Sequence, residues 1–263
     1  MHSDACFYDQ LNRKILLDKT PQRIVSIVPS QTELLFYLGL DDSIIGITEF
    51  CTHPHHQIKQ VTKIGGTKKL NIELIRELQP DLIIANKEEN EQNQVEDLMN
   101  ICPVLISDIN DLPGALAMIE SVGEIVNRKA EADVLVKSIS NLFNALIKVE
   151  KPLTVAYLIW RKPYMVAGVG TFINSILQLC GFTNAFALGR YPQLDAAMLI
   201  NANPDLVFLS SEPFPFTEKH IEEFKAILPN TKVVLIDGEM FSWYGSRLLL
   251  APRYFSSVIE SLA

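Results

Sequence analysis

The sequence predicts an α/β protein built from two like lobes on mostly parallel sheets, joined by one long helix. Three observations carry this. Short β-branched runs alternate with longer helical patterns along most of the 263 residues, the rhythm of strand–helix crossovers. From 113 to 149 there is no strand pattern at all. The flanks of that stretch also repeat: "ELQPDLIIANKEENEQNQVEDLMNICPVLI" (77–106) returns as "NANPDLVFLSSEPFPFTEKHIEEFKAILPNTKVVLI" (201–236), a sign of internal repetition. Pro80 and Pro204 are 124 residues apart, whereas the helix-ending Gly39 and its counterpart Gly181 are 142 apart, so the copies carry different inserts. The expected domains are an N-terminal α/β lobe (1–126), a linking helix (127–151) and a C-terminal α/β lobe (152–263). A single helical crossing leaves little room for wide hinge motion. The ligand cleft is expected between the lobes, at the carboxyl ends of the strands.

In order along the chain, "RIVSIV" (23–28) reads as a buried strand and "PSQTELLFYLGL" as the helix after it. Ser30 and Glu33 have capping-box spacing, and Gly39 ends the helix. Strands near "SIIGIT" and "VTKI" follow, then a helix at 71–78, the strand "DLIIA" (81–85), a helix through 90–100 and the strand "VLI" (104–106). "AEADVLVKSISNLFNALIKV" is one amphipathic helical pattern, broken from the helix before it near Asn127-Arg128. After Pro152 come the strand "TVAYLI" (154–159), a helix at 171–180, "DLVFL" (205–209), a helix at 218–227, "KVVLI" (232–236) and a terminal helix from about 247.

Composition narrows the function. With 48% apolar residues the chain has ample material for a packed interior. A net charge of −8 and no basic stripe argue against a nucleic-acid partner. No apolar run reaches the roughly 20 residues that span a bilayer. The start, "MHSDACFYDQLNRKILLDK", has scattered charges and no apolar block of roughly 7–15 residues, so it does not read as a secretory signal. The four cysteines, Cys6, Cys51, Cys102 and Cys180, are widely spaced without a C-x-x-C pair, so a disulfide scaffold is not expected. Cys102 and Cys180 sit at the ends of apolar helical patterns, where buried thiols are common.

The strand ends carry the chemistry. In the first half they give "PSQ" (29–31), "EFCTHP" (49–54), "GGTKK" (65–69) and "NKEEN" (86–90). In the second they give "WRKPY" (160–164), "GRYPQ" (189–193), "SSEPFPF" (210–216) and "DGEMFSWYGSR" (237–247). Both tryptophans of the chain fall here, with many aromatics and cations. Such a set suits a large, flat or bulky ligand bearing carbonyl or negative groups. The candidate ligand-binding residues are Ser30, Gln31, Cys51, His53, Lys68, Lys87, Trp160, Arg161, Tyr164, Tyr191, Trp243, Tyr244 and Arg247. Of these, Arg161, Tyr164, Trp243 and Arg247 are expected to face the cleft together, with Gly245 turning the chain and Ser246 capping the next helix. The alternative for Arg247 is a surface pair with an acidic neighbour such as Glu239. In "EFCTHPHH" (49–56), Cys51, His53, His55 and His56 are all possible metal ligands. They lie in one short loop, however, and no second Cys, His or Asp cluster appears at the other strand ends, so no metal site is expected. Cys51 and His53 read as pocket lip or as local loop packing.

"PQRIVSIVPSQTELLFYLGL", "GGTKKLNIELIRELQPDLIIA", the single joining helix and "SWYGSR" resemble the substrate-binding proteins of ABC importers for cobalamin, haem and iron–siderophore complexes, within the helical backbone metal receptor superfamily. The resemblance runs from about Pro21 to the end, and the cobalamin-binding branch is the nearest. It implies two Rossmann-like lobes bridged by one helix, no catalysis, no intrinsic cofactor, and a corrinoid or iron chelate held between the lobes. It also implies a periplasmic or membrane-associated site of action, whereas the missing signal pattern points to the cytoplasm. By position, Glu73 in "NIELI" matches the glutamate that docks onto a permease arginine; the second-lobe equivalent falls at Ala197, which cannot form that pair. The expected protein is a monomeric chelate binder. Its rival is a cytosolic corrinoid- or metal-handling protein, or a Cys/His-dependent enzyme, on the same scaffold.

Overall fold

The computed structural model describes residues 5–262; His2 lies outside the described residues. The chain forms two compact units. The first takes the residues up to Asp108, then Pro113–Ile139 and Tyr244–Arg247; the second takes Ile109–Leu112, Ser140–Trp243 and the residues from Leu248 onward.

The first unit opens with an antiparallel hairpin, β1 (Ala5–Tyr8) and β2 (Lys14–Leu17). The buried Asp9 carboxylate holds its turn by accepting from the Leu11 and Arg13 N–H groups and from the Arg13 guanidinium. Sequence reading places no strand here, because four-residue strands that are half exposed leave little alternation to detect. Next come β3 (Ile24–Ser26), α1 (Pro29–Tyr37), β4 (Ile44–Ile47), β5 (Thr62–Lys63), the small hairpin β6 (Gly65–Gly66) and β7 (Lys69–Leu70), and α2 (Ile72–Leu78). β8 (Leu82–Asn86), α3 (Gln92–Met99), β9 (Val104–Ser107) and α4 (Leu112–Ile125) follow. The sheet runs β5-β4-β3-β8-β9 with every pairing parallel. All five residues of β8 are buried, as a parallel strand covered on both faces requires.

The capping box expected from Ser30 and Glu33 does not form. Pro29, with its preset φ, opens α1 one residue earlier and makes Val28 the N-cap, which places Ser30 inside the first turn. The other end follows expectation. Gly39 takes φ +73°, its N–H donates to Phe36 O and that of Leu40 to Leu35 O, the paired bonds of a Schellman ending. Gly181 (φ +86°) repeats this in the second unit, with Gly181 N–H to Gln178 O and Phe182 N–H to Leu177 O.

α5 (Lys129–Asn144) is separated from α4 at Asn127, which adopts φ +57°. It is shorter than the helix expected over 127–151. The Val149 N–H donates instead to the Cys180 carbonyl, which draws that stretch of backbone out of the helix. The passage from first unit to second falls inside α5, after Ile139, and two short excursions (109–112 and 244–247) accompany it.

The second unit contains β10 (Thr154–Trp160), β11 (Tyr164–Val166), α6 (Phe172–Leu179), β12 (Thr183–Asn184), β13 (Gln193–Leu194) and α7 (Ala196–Ala202). β14 (Leu206–Ser210), α8 (Glu218–Ile227), β15 (Lys232–Ile236), α9 (Gly238–Ser242) and α10 (Ala251–Leu262) complete it. The order is β13-β11-β10-β14-β15, with β12 also on β10; β10, β12, β14 and β15 pair in parallel, while β11 and β13 add antiparallel edges. Leu158, Val207, Leu209, Phe216 and Phe224 sit in its apolar core. Ser246 does not cap the terminal helix: Pro252 sets that helix to begin at Ala251, and Ser246 opens a separate 3-10 turn, Ser246–Leu249.

The repeat is physical as well as textual. α2 is capped by Asn71 and α7 by Asp195, and each ends on a left-handed residue, Gln79 (φ 48°) and Asn203 (φ 42°). Pro-Asp follows in both. The Asp81 carboxylate accepts from the Gln22 and Arg23 N–H groups ahead of β3; that of Asp205 accepts from the Thr154 N–H and hydroxyl at the start of β10.

Candidate functional site

In a doubly wound sheet a ligand meets the protein at the carboxyl ends of the strands where the order reverses. In the first unit that point lies beside β3 and β8, in the second beside β10 and β14.

Around the first point the side chains are polar and fixed. Ser30 and Gln31 are buried in the first turn of α1. Gln31 Nε2 and Asn86 Nδ2 both donate to Ser107 Oγ, at 2.5 and 3.0 Å. Asn90 Nδ2 reaches the carbonyls of Ile27 and Thr67. Cys51 is buried rather than presented: its sulfur lies 3.2 Å from Thr32 Oγ1 and 3.3 Å from Thr48 Oγ1, and burial pushes the thiol up despite those bonds and the nearby Lys63. A buried, protonated thiol is a poor nucleophile and a poor metal ligand. His53 pairs its ring with His55 at 4.6 Å. Among the described residues no group of three His, Cys, Asp or Glu side chains gathers to hold a metal.

Lys68 donates to the Glu88 carbonyl and lies 3.5 Å from Glu91, while Lys87 pairs with Asp108 at 2.5 Å. Two residues of the late segment also belong to this unit. The Tyr244 hydroxyl donates to Glu89 at 2.9 Å, and Arg247 approaches Glu33 through Nε (3.1 Å) and Nη2 (2.9 Å). Arg247 is thus buried and close to Glu33. Glu73, exposed on α2, is held by Arg76 at 2.7 and 2.9 Å. Phe50 was not among the candidates, although it stands in "EFCTHP". Its exposed ring rests on the β6–β7 hairpin, where a Cβ on Gly66 would come within 3.0 Å of it.

In the second unit Trp160 keeps 40% of its surface exposed and packs edge-on against Phe214 at 5.7 Å. Phe214 continues into Phe216 and His220 at 4.7 and 5.4 Å. Arg161 and Tyr164 are brought together by a residue that sequence reading passed over, Glu223. Arg161 Nε donates to it at 2.7 Å and the Tyr164 hydroxyl at 3.0 Å. Desolvation lifts this carboxyl, but the bonds from Arg161 and Tyr164 outweigh it and hold Glu223 below the usual range. Nothing in "IEEF" marks one glutamate over the other. The Arg190 guanidinium lies 5.9 Å from the Tyr191 ring centre, a cation–π distance. Trp243 is buried, and with Ser242 it hydrogen-bonds Glu212, whose carboxyl burial pushes up. Ala197 is exposed on α7.

Two α/β units in one chain, with polar and aromatic side chains collected at the carboxyl ends of parallel strands, define a two-lobed binding-protein fold. Solved structures of that kind share it. A periplasmic haem-binding protein of Vibrio cholerae matches with a TM-score of 0.75 at 23% identity over 90% of this chain and 98% of its own. A siderophore-binding protein, BauB, solved with acinetobactin and ferric iron, matches with a TM-score of 0.77 at 17% identity over 98% and 99%. The chain belongs to the periplasmic binding protein family, whose model matches residues 24–227. Among curated relatives, the vitamin B12-binding protein of Pectobacterium carotovorum is 23% identical over 251 residues, 92% of this chain and 90% of the relative. The ABC transporter substrate-binding lipoprotein YvrC of Bacillus subtilis, itself uncharacterized, is 28% identical over 212 residues, 76% of this chain and 67% of the relative.

Proposed function

We propose that this protein binds a large metal chelate, a corrinoid, haem or ferric siderophore, without catalysis, as the substrate-binding component of an ABC importer. The observation that carries the reading is family membership over residues 24–227, joined to a relative named for vitamin B12 that aligns over 92% of the chain. The side chains at the strand ends support it. In the second unit Trp160 with Phe214 offers ring surface for a flat ligand, and Arg161 offers guanidinium donors beside it. The buried, raised thiol of Cys51 gives no support to a Cys/His-dependent enzyme. The protein works as a monomer and, like its relatives, outside the cytoplasm, with Glu73 facing a permease and no matching carboxylate at Ala197. Titration with cobalamin, cobinamide, haemin and ferric siderophores, followed by tryptophan quenching, tests the reading. Saturable quenching by one of them supports it; no response to any at tens of micromolar refutes it.

A further inference from the structure

The N-terminal turn of α1 has donors without an acceptor among the described residues. Val28 offers no capping side chain and Pro29 has no N–H. Thr32 is the first residue of the turn whose N–H finds an acceptor, Val28 O at 2.9 Å. The N–H groups of Ser30 and Gln31 precede it and so have no intrahelical acceptor. The Ser30 side chain is 1% exposed, and its hydroxyl has no hydrogen-bond partner among the described residues. Because Cα–Cβ bonds tilt toward a helix N-terminus, that hydroxyl projects toward the start of α1, among buried residues.

A second orphan lies alongside. Gly245, at φ +102°, passes so close to α1 that a Cβ on it would stand 3.3 Å from both Ser30 O and Leu34 Cβ. The next residue, Ser246, is 7% exposed and its hydroxyl is likewise without a partner among the described residues. Arg247 then carries its guanidinium to Glu33, one turn along the same helix. A buried hydroxyl left unpaired is costly, and here two occur, one in the uncapped first turn of α1 and one in the segment that packs on it. Every unused group here is a donor or can act as one, and the helix dipole adds positive potential.

We propose that Ser30, Ser246 and the backbone N–H groups of Ser30 and Gln31 form an oxyanion-binding notch in the first unit, which seats a carboxylate or phosphate group of the bound ligand. The identity of the ligand rests on the chelate reading above; the notch itself is testable without any chelate. The probe is inorganic phosphate, titrated against chloride at matched ionic strength, with the melting temperature and calorimetric heat as readouts. The wild type should show saturable stabilisation with a millimolar Kd. Ser30→Ala/Ser246→Ala should weaken phosphate binding at least tenfold, while its melting temperature in chloride stays equal or rises, because the variant removes unpaired hydroxyls. Three outcomes overturn the proposal: no saturable phosphate response, the same response in the double variant, or equal stabilisation by neutral acetamide. Should no chelate quench the tryptophans while phosphate binding follows this pattern, the chelate reading falls and the notch stands.

Discussion

Replacing Arg247 with alanine separates two roles for the most buried cation of the candidate set. Its side chain is 7% exposed and that of Glu33 19%, and the pair makes two contacts of 2.9 and 3.1 Å. Removing the guanidinium takes away the arginine from a carboxylate that is largely out of water. Breaking a fully buried pair costs about 3–5 kcal/mol; the residual exposure of Glu33 places this one near the lower end, about 3 kcal/mol. With a urea slope of about 3 kcal/mol per molar, the unfolding midpoint should fall by about 1 M. Far-UV circular dichroism under urea reads this directly. Arg247→Ala/Glu33→Gln should recover at least half the loss, since the buried carboxylate charge is then removed as well. An unchanged midpoint for Arg247→Ala, together with a tenfold loss of ligand affinity, would refute the argument and make Arg247 a ligand contact.

The other predictions concern titration and reactivity. Glu212 is held above the usual carboxylate range chiefly by burial. Its ionised form therefore destabilises the fold at neutral pH, and that penalty disappears as pH falls through its raised pKa. Glu212→Gln should raise the melting temperature at pH 7 and lose its advantage near pH 4, checked by calorimetry across that range. Asp205 runs the other way: bonds from Thr154 hold its carboxyl below the usual range. Asp205→Asn should lower stability at neutral pH, and the deficit should vanish as pH falls through the depressed pKa. Burial pushes the thiols of Cys102 and Cys180 up to about 12, and raises Cys51 as well, while Cys6 is exposed. A disulfide reagent at pH 8 should therefore label one thiol per native chain quickly and the other three only on unfolding, and Cys6→Ser should abolish the fast phase.

Much of the frame was legible because it obeys short-range rules. The runs at 82–85 and 206–209 are continuous apolar stretches that follow Pro-Asp, and both lie in fully buried strands. Gly39 and Gly181 could be read as helix stops because only a residue without a Cβ takes their positive φ cheaply. α1 shows where local rules compete: Ser30 has the spacing of a cap, yet Pro29 starts the helix ahead of it. The short elements β11, β12 and β13 owe their existence to pairing with β10 or with each other, and no pattern within two or three residues could reveal them. The candidate residues were legible as members of loops, and their partners were not. Trp160 and Arg161 stand at a strand end as expected, but Glu223, Glu212 and Glu33, which hold Arg161, Trp243 and Arg247, are ordinary helix or loop glutamates until the fold brings them near.

The segment Tyr244–Arg247 has a consequence for how the protein is made. Glu33 leaves the ribosome before its partner, which follows more than two hundred residues later. The first unit therefore cannot reach its final form while it is being translated, although N-terminal domains commonly fold first. Until residue 247 is released, Glu33 lacks Arg247 and Glu89 lacks Tyr244, and a chain stopped at Trp243 would lack both groups. Completion of the first unit is thus tied to synthesis of the second, most of which lies between Glu33 and Arg247 in the chain.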